Sequence, residues 1–190
     1  MNPVPYCVFT QKEDIQHLCD HLNDSCDELI KKNSQCWGLG PYAKNDEVWS
    51  SYPLTSNILS DGEHAFLIEQ MKVLIGEYSN MLGIDHNKTK INIDESFLLD
   101  LRKDTLGTDY ETNRYSHLSC YIFFDEGLMM MNNPFFNDDL GFYDDSPFFK
   151  KKIIQNFDKY SIFCLPSNVK HKYIIKGDNK KVVKSLIKFI

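Results

Sequence analysis

A chain of 190 residues and 22.2 kDa, 42% apolar and 25% charged, has the make-up of a folded domain and not of a disordered segment. Its aromatic content of 13% can fill a sizeable core without a structural metal, and its net charge of −6 argues against a generally basic nucleic-acid binder. No stretch approaches the roughly 20 apolar residues of a membrane span, and the N-terminus shows no signal-peptide pattern. A cytoplasmic location is therefore expected, with the six cysteines as reduced thiols. The absence of a CxxC pair excludes a zinc ribbon.

The first predicted element is a helix over residues 11–32. Thr10 and Glu13 form a capping box, and Ile15, Leu18, Cys19, Leu22, Cys26, Leu29 and Ile30 share one stripe. Residues 33–59 read as irregular, broken by Gly38, Gly40, Pro41 and Pro53. A second helix over 60–82 opens on a Ser60–Glu63 capping box and carries Phe66, Leu67, Met71, Leu74, Ile75, Tyr78 and Leu82 inward. Gly83 is its stop.

Beyond residue 88 the apolar period changes from 3.6 to 2. Ile91, Ile93, Phe97, Leu99 and Leu101 alternate with polar residues, and residues 118–124 are apolar on both faces, as in a central strand. Further strands are predicted at Leu128–Met131, Tyr160–Leu165, His171–Ile175 and Val182–Ile190, with a long loop after Asn132 and a Gly177-Asp178-Asn179 turn. Helices followed by strands give an α+β, mainly β chain: one domain over 1–190, with 1–88 as helical support and connecting loops and 89–190 as the β body.

Charge is unevenly spread, with net −15 over residues 1–149 and net +9 over residues 150–190. The simplest consequence is internal neutralisation; the sharper one is a lysine-lined face for an anionic ligand. His17 and His21 lie four apart on the first helix but off its apolar stripe, and with His64 and His86 they read as surface histidines. No cysteine has an activating base nearby, and no GxGxxG, P-loop or GxSxG motif is present.

The C-terminal third carries the most chemistry. A strand ends at Leu165-Pro166-Ser167, His171 opens the next strand, and Lys184 follows 13 residues later across what reads as a hairpin. A neutral imidazole can bind a metal and an ammonium can pair a carboxylate, so the two can serve one barrel mouth. Upstream stand Glu95-Ser96-Phe97 and Leu118-Ser119-Cys120-Tyr121. This arrangement resembles the 2-oxoglutarate/Fe(II)-dependent oxygenases of tailed phages and bacteria, over roughly residues 91–190. The resemblance implies a double-stranded β-helix (jelly roll) with the two N-terminal helices packed on one sheet. It implies His171 as an iron ligand, Lys184 as the anchor of 2-oxoglutarate, and Ser119 and Tyr121 as lining of the cofactor pocket.

One part of the family pattern is missing. The His-x-His or His-x-Asp pair belongs shortly before Leu118-Ser119, where this chain has Asp109–Arg114 without a histidine. Glu111 or His117 would have to complete the metal set, and iron binding weaker than at a two-His, one-carboxylate site is expected. Two functions follow. The chain is a hydroxylase that uses Fe(II) and 2-oxoglutarate on an unknown substrate, or it binds no cofactor and is an inactive jelly-roll interaction or structural protein, such as a phage virion component, in the host cytoplasm or the virion. The Pro134-Phe135-Phe136 and Pro147-Phe148-Phe149 stretches suit contacts with a protein partner in an assembly, or equally a plug for the end of their own barrel.

Overall fold

The computed structural model describes residues 6–9, 13–39, 47–60, 62–85, 88–101, 111–112, 115–133 and 152–190. Thr10, His86, Asp109 and the two Pro-Phe-Phe stretches lie outside them. The fold is mainly β with two helices, α1 (Glu13–Lys32) and α2 (Ala65–Met81). Nine strands follow in chain order among the described residues: β1 (Cys7–Phe9), β2 (Val48–Ser50), β3 (Ile91–Leu101), β4 (Leu118–Phe123), β5 (Gly127–Asn132), β6 (Lys152–Phe157), β7 (Ile162–Pro166), β8 (His171–Ile175) and β9 (Lys181–Phe189). They form two antiparallel sheets, ordered β1-β7-β4-β9-β3-β2 and β6-β5-β8.

The larger sheet is covered on both faces, and the residue alternation of each strand shows how. Leu118, Cys120 and Ile122 of β4 and Val183 and Ile187 of β9 pack with the helices, against Cys19, Leu22 and Cys26 of α1 and Leu67, Met71, Ile75 and Tyr78 of α2. Tyr121 and Phe123 of β4 and Val182 and Leu186 of β9 point the other way. They meet Met129, Met131, Phe157, Tyr173 and Ile175 of the smaller sheet. All six residues of β4 are buried for this reason. The layers are therefore helices, large sheet, small sheet, with one apolar core on each side of the large sheet.

Several expectations change in detail. The predicted irregular stretch contains β2, whose Trp49 is fully buried and donates from its indole N–H to the Asn33 carbonyl (2.8 Å). The alternation of β3 is interrupted by a bulge between Ile93 and Glu95. Ile91 and Ile93 consequently face the helices while Phe97, Leu99 and Leu101 face the other sheet, because one extra residue flips every later side chain. α2 has no side-chain cap. The Ser60 hydroxyl donates to the Asn57 carbonyl (2.8 Å), and a short 3-10 turn at Gly62–His64 precedes the helix. Gly83 does end the helix, at a positive φ of 78°, with the Ile84 N–H on the Ser79 carbonyl (2.9 Å). Phe66, expected inward, is 60% exposed, and His64, expected on the surface, is buried beside His21.

The cysteine expectation is also corrected. Cys120 and Cys164 are directly opposed on β4 and β7, on the helix side of the sheet, and are joined as a disulfide. Cys19, Cys26 and Cys36 are buried and take no part in that disulfide. The charge asymmetry resolves as neutralisation for the last strand, whose Lys181, Lys184 and Lys188 pair with Asp27, Glu111 and Asp94 of the acidic part. Among the described residues no helix is long and apolar enough to cross a membrane.

Candidate functional site

His171 and Lys184 do not lie on two arms of one hairpin. β8 belongs to the small sheet and β9 to the large one, and the Gly177-Asp178-Asn179 turn carries the chain between the layers. There Asp125 accepts the Asn179 N–H (3.2 Å) against Gly177, where any Cβ would collide with the Asp125 carboxyl group. The two residues therefore approach from opposite sheets. Tyr121 joins them from β4, since Tyr121 stands directly beside Lys184 in the β4–β9 register. Glu111 is brought in by its own backbone: it forms an isolated bridge with His171, exchanging N–H···O bonds of 2.8 and 3.1 Å at the open edge of β8.

The four side chains converge on one oxygen. Oε1 of Glu111 accepts from the Lys184 ammonium at 2.8 Å and from the Tyr121 hydroxyl at 2.8 Å, and stands 3.5 Å from His171 Nε2. Tyr121 Oη is also 2.5 Å from His171 Nε2, so its single proton is shared between two neighbours. His171 Nδ1–H donates to the Val169 carbonyl at 2.7 Å, which orients the ring and turns Nε2 toward the cluster. Lys184 and His171 are fully buried, and the Glu111 side chain keeps 17% exposure.

Burial opposes ionisation of Glu111, but the Lys184 ammonium and the His171 contact outweigh it and bring its pKa down to about 2. Burial pushes the Lys184 pKa below its ordinary value of 10.5, against the pull of Glu111. The depressed carboxylate supplies stability that is complete above its ordinary value of 4.5 and is lost as pH falls through about 2. Urea midpoints should therefore drop across that acid window in the wild type, and the drop should be smaller in Glu111→Gln. Equal slopes in the two proteins would show that Glu111 carries no such linkage.

The remaining expected site residues lie elsewhere. Ser119 is buried on the same face of β4 as Tyr121, with its hydroxyl bonded to Ser167 (3.0 Å), which in turn bonds Ser116 (2.7 Å). His117 is exposed, its ring stacked on Phe189 and its Nδ1 accepting the Phe189 N–H (3.0 Å); it makes no contact with the Glu111 cluster among those the structure shows. Sequence reasoning missed the Val169 carbonyl, which no residue type announces. It also assigned Tyr121 only to pocket lining, although its register beside Lys184 places it at the centre.

Half of a metal site is recognisable here. His171 has the second-nitrogen hydrogen bond that metal-binding histidines use, and Glu111 is a carboxylate beside it. The rest does not fit Fe(II) with 2-oxoglutarate. Among the described residues no third His, Cys, Asp or Glu joins the pair. Nε2 of His171 is engaged by Tyr121. The Lys184 ammonium rests on the same carboxylate oxygen that would face the metal.

No protein-family model matches the chain, and no curated protein matches it in sequence. Its fold does have a solved counterpart. A 2OG-Fe(II) oxygenase family oxidoreductase from Burkholderia pseudomallei superposes with a TM-score of 0.55 at 9% identity, covering 98% of this chain and 85% of that one. At that identity the likeness is one of fold.

Proposed function

We propose that the chain is a 2-oxoglutarate/Fe(II)-oxygenase-like protein on a double-stranded β-helix, with a degenerate metal motif, and that it acts by binding and not by hydroxylation. Support for the β-helix comes from four strands, β7-β4-β9-β3, layered on three, β6-β5-β8, with the Glu111–His171 bridge extending the smaller sheet. The observation that carries the loss of oxygenase chemistry is the 2.8 Å contact between Lys184 and Glu111. A five-carbon dicarboxylate cannot be laid between a metal on Glu111 and an anchor that already touches Glu111. Without that chemistry the jelly roll is an interaction or structural protein, as in a virion component, and its partner is another protein chain.

A second reading, the hydroxylase, is favoured by the oxygenase fold of the structural counterpart. It requires Lys184 to leave Glu111. Succinate formation from 2-oxoglutarate, with added Fe(II) and ascorbate, separates the two. The expected result is no turnover in the wild type or in His171→Ala, with both proteins folded. Turnover in the wild type that His171→Ala abolishes would establish the hydroxylase.

A further inference from the structure

We propose that the outward face of α2 is a self-association surface, on which two copies of this chain pack their α2 helices antiparallel about a two-fold axis, each seating its Phe66 in the other's groove between α2 and β3. The inference lies outside the polar cluster and stands whether or not that cluster turns over 2-oxoglutarate.

Three observations carry it. The first is exposure. α2 turns Leu67, Met71, Ile75 and Tyr78 into the core, yet its opposite face is not polar throughout: Phe66 is 60% exposed, Val73 57% and Met81 69%. Phe66 and Val73 are two turns apart on one face, with Glu69, Glu77 and Asn80 exposed around them. An exposed apolar centre with a polar rim is the anatomy of a contact surface.

The second is shape. Val73, Gly76, Glu77 and Asn80 have the i, i+3, i+4 and i+7 spacing of the four residues that make a hole for a knob from a facing helix. Here the hole widens into a groove of about 460 Å³, closed on its far side by Lys90 and Ile91 where β3 begins. Gly76 leaves the floor without a side chain, and a Cβ there would meet only Ile91 Cδ1, at the ordinary contact distance of 3.8 Å. The groove therefore has room for a ring. Phe66 stands on the same face, ten residues before Gly76. In an antiparallel pair each Phe66 comes opposite the other copy's hole, so a single two-fold operation seats both knobs. That is the condition for an isologous interface, which closes at two copies. A parallel pair would set the two Phe66 rings level with each other and leave both holes empty.

The third is charge and area. Phe66 brings Glu69 with it, one turn on, and the groove it enters carries Lys72 and Lys90. Within each copy Glu69 pairs with Lys72 at 2.8 Å, so two copies side by side offer each carboxylate a second ammonium. A surface that holds both signs in this order complements itself better than it complements a partner of one sign. Two helices of 17 residues, each about 26 Å long, with a filled groove on either side bury on the order of 1,000 Å² in total, the low end for a specific interface. The dimer is accordingly weak and reversible, with a Kd on the order of 100 µM, and single copies prevail at the micromolar concentrations of unfolding measurements.

Sedimentation equilibrium of the full-length chain, over about 1 µM to 1 mM, tests the proposal. The wild-type mass is expected to rise from 22.2 kDa toward twice that value and no further. Phe66→Glu, which replaces the knob, and Gly76→Leu, which fills the hole, should each weaken association at least tenfold with circular dichroism unchanged. If Gly76→Leu does not fold, Phe66→Glu decides alone, since its side chain is 60% exposed. Geometry is read with a short bis-maleimide: Val73→Cys, close to the axis, should cross-link to its own copy, and Glu28→Cys, exposed on α1, should not. A wild type that stays at 22.2 kDa throughout overturns the proposal, as does a dimer whose affinity survives Phe66→Glu, or cross-linking no faster at residue 73 than at residue 28. None of these results touches the proposed function, which falls instead if the wild type turns over 2-oxoglutarate.

Discussion

Phe123→Ala is expected to lower the unfolding free energy by about 3–5 kcal/mol, read from urea denaturation at neutral pH. Phe123 is fully buried at the end of β4, between the two sheets. Its ring stacks on Phe157 of β6 with centroids 3.8 Å apart and meets Tyr173 of β8 edge-on at 5.3 Å. Truncation removes most of a phenyl group from the contact between layers. The hole is bounded by rings held on separate strands, so collapse into it is restricted and the cavity contribution should persist. Phe66→Ala is the control: its ring is 60% exposed on α2, and its loss should shift stability by only about 0.5 kcal/mol or less. If the two substitutions cost the same, the space between the sheets is not the principal core. The loss should also loosen the polar cluster, because Tyr121 packs on Phe123 at 5.9 Å.

The layer order was legible because α1, α2 and β4 have clear patterns. The α1 stripe of Cys19, Leu22 and Cys26 and the α2 stripe of Leu67, Met71, Ile75 and Tyr78 are the buried faces observed. Residues 118–124 read as covered on both sides because both sides are covered. What escaped is set by pairing and not by local period. β1 and β2 are three residues each, too short to show alternation, and exist because β7 and β3 offer them edges. The bulge at Ile93/Glu95 leaves no mark on the apolar pattern, yet it decides which core Phe97 enters. Gly177-Asp178-Asn179 looks like a hairpin turn from composition alone; that β8 and β9 part into different sheets depends on partners far away in sequence. The candidate site shows the same division. His171 and Lys184 could be singled out by residue type, whereas their joining through Glu111 depends on one backbone bridge and could not. The Cys120–Cys164 pairing likewise follows from register across 44 residues of chain.

Glu111→Gln and Lys184→Met are each expected to destabilise the fold by about 3–5 kcal/mol, and the double variant by much less than their sum. Lys184 is fully buried and Glu111 is 17% exposed, so the pair is screened far less than a surface ion pair. Either single substitution leaves one charge without its counter-ion. In Glu111→Gln the ammonium remains between the sheets beside an amide oxygen and the Tyr121 ring, 5.5 Å away, in place of a carboxylate. In Lys184→Met the carboxylate keeps the Tyr121 hydroxyl and the His171 contact but loses its strongest partner. Removing both charges restores neutrality and leaves a side chain of similar length at residue 184, which is why paired replacements of buried ions are often close to neutral. A double-mutant cycle by urea denaturation measures the coupling directly. Additive losses would mean that Glu111 and Lys184 do not depend on each other and that the 2.8 Å contact is incidental. A large positive coupling would mean that the two charges act as one unit that ties β9 of the large sheet to the residue bridged to β8 of the small one.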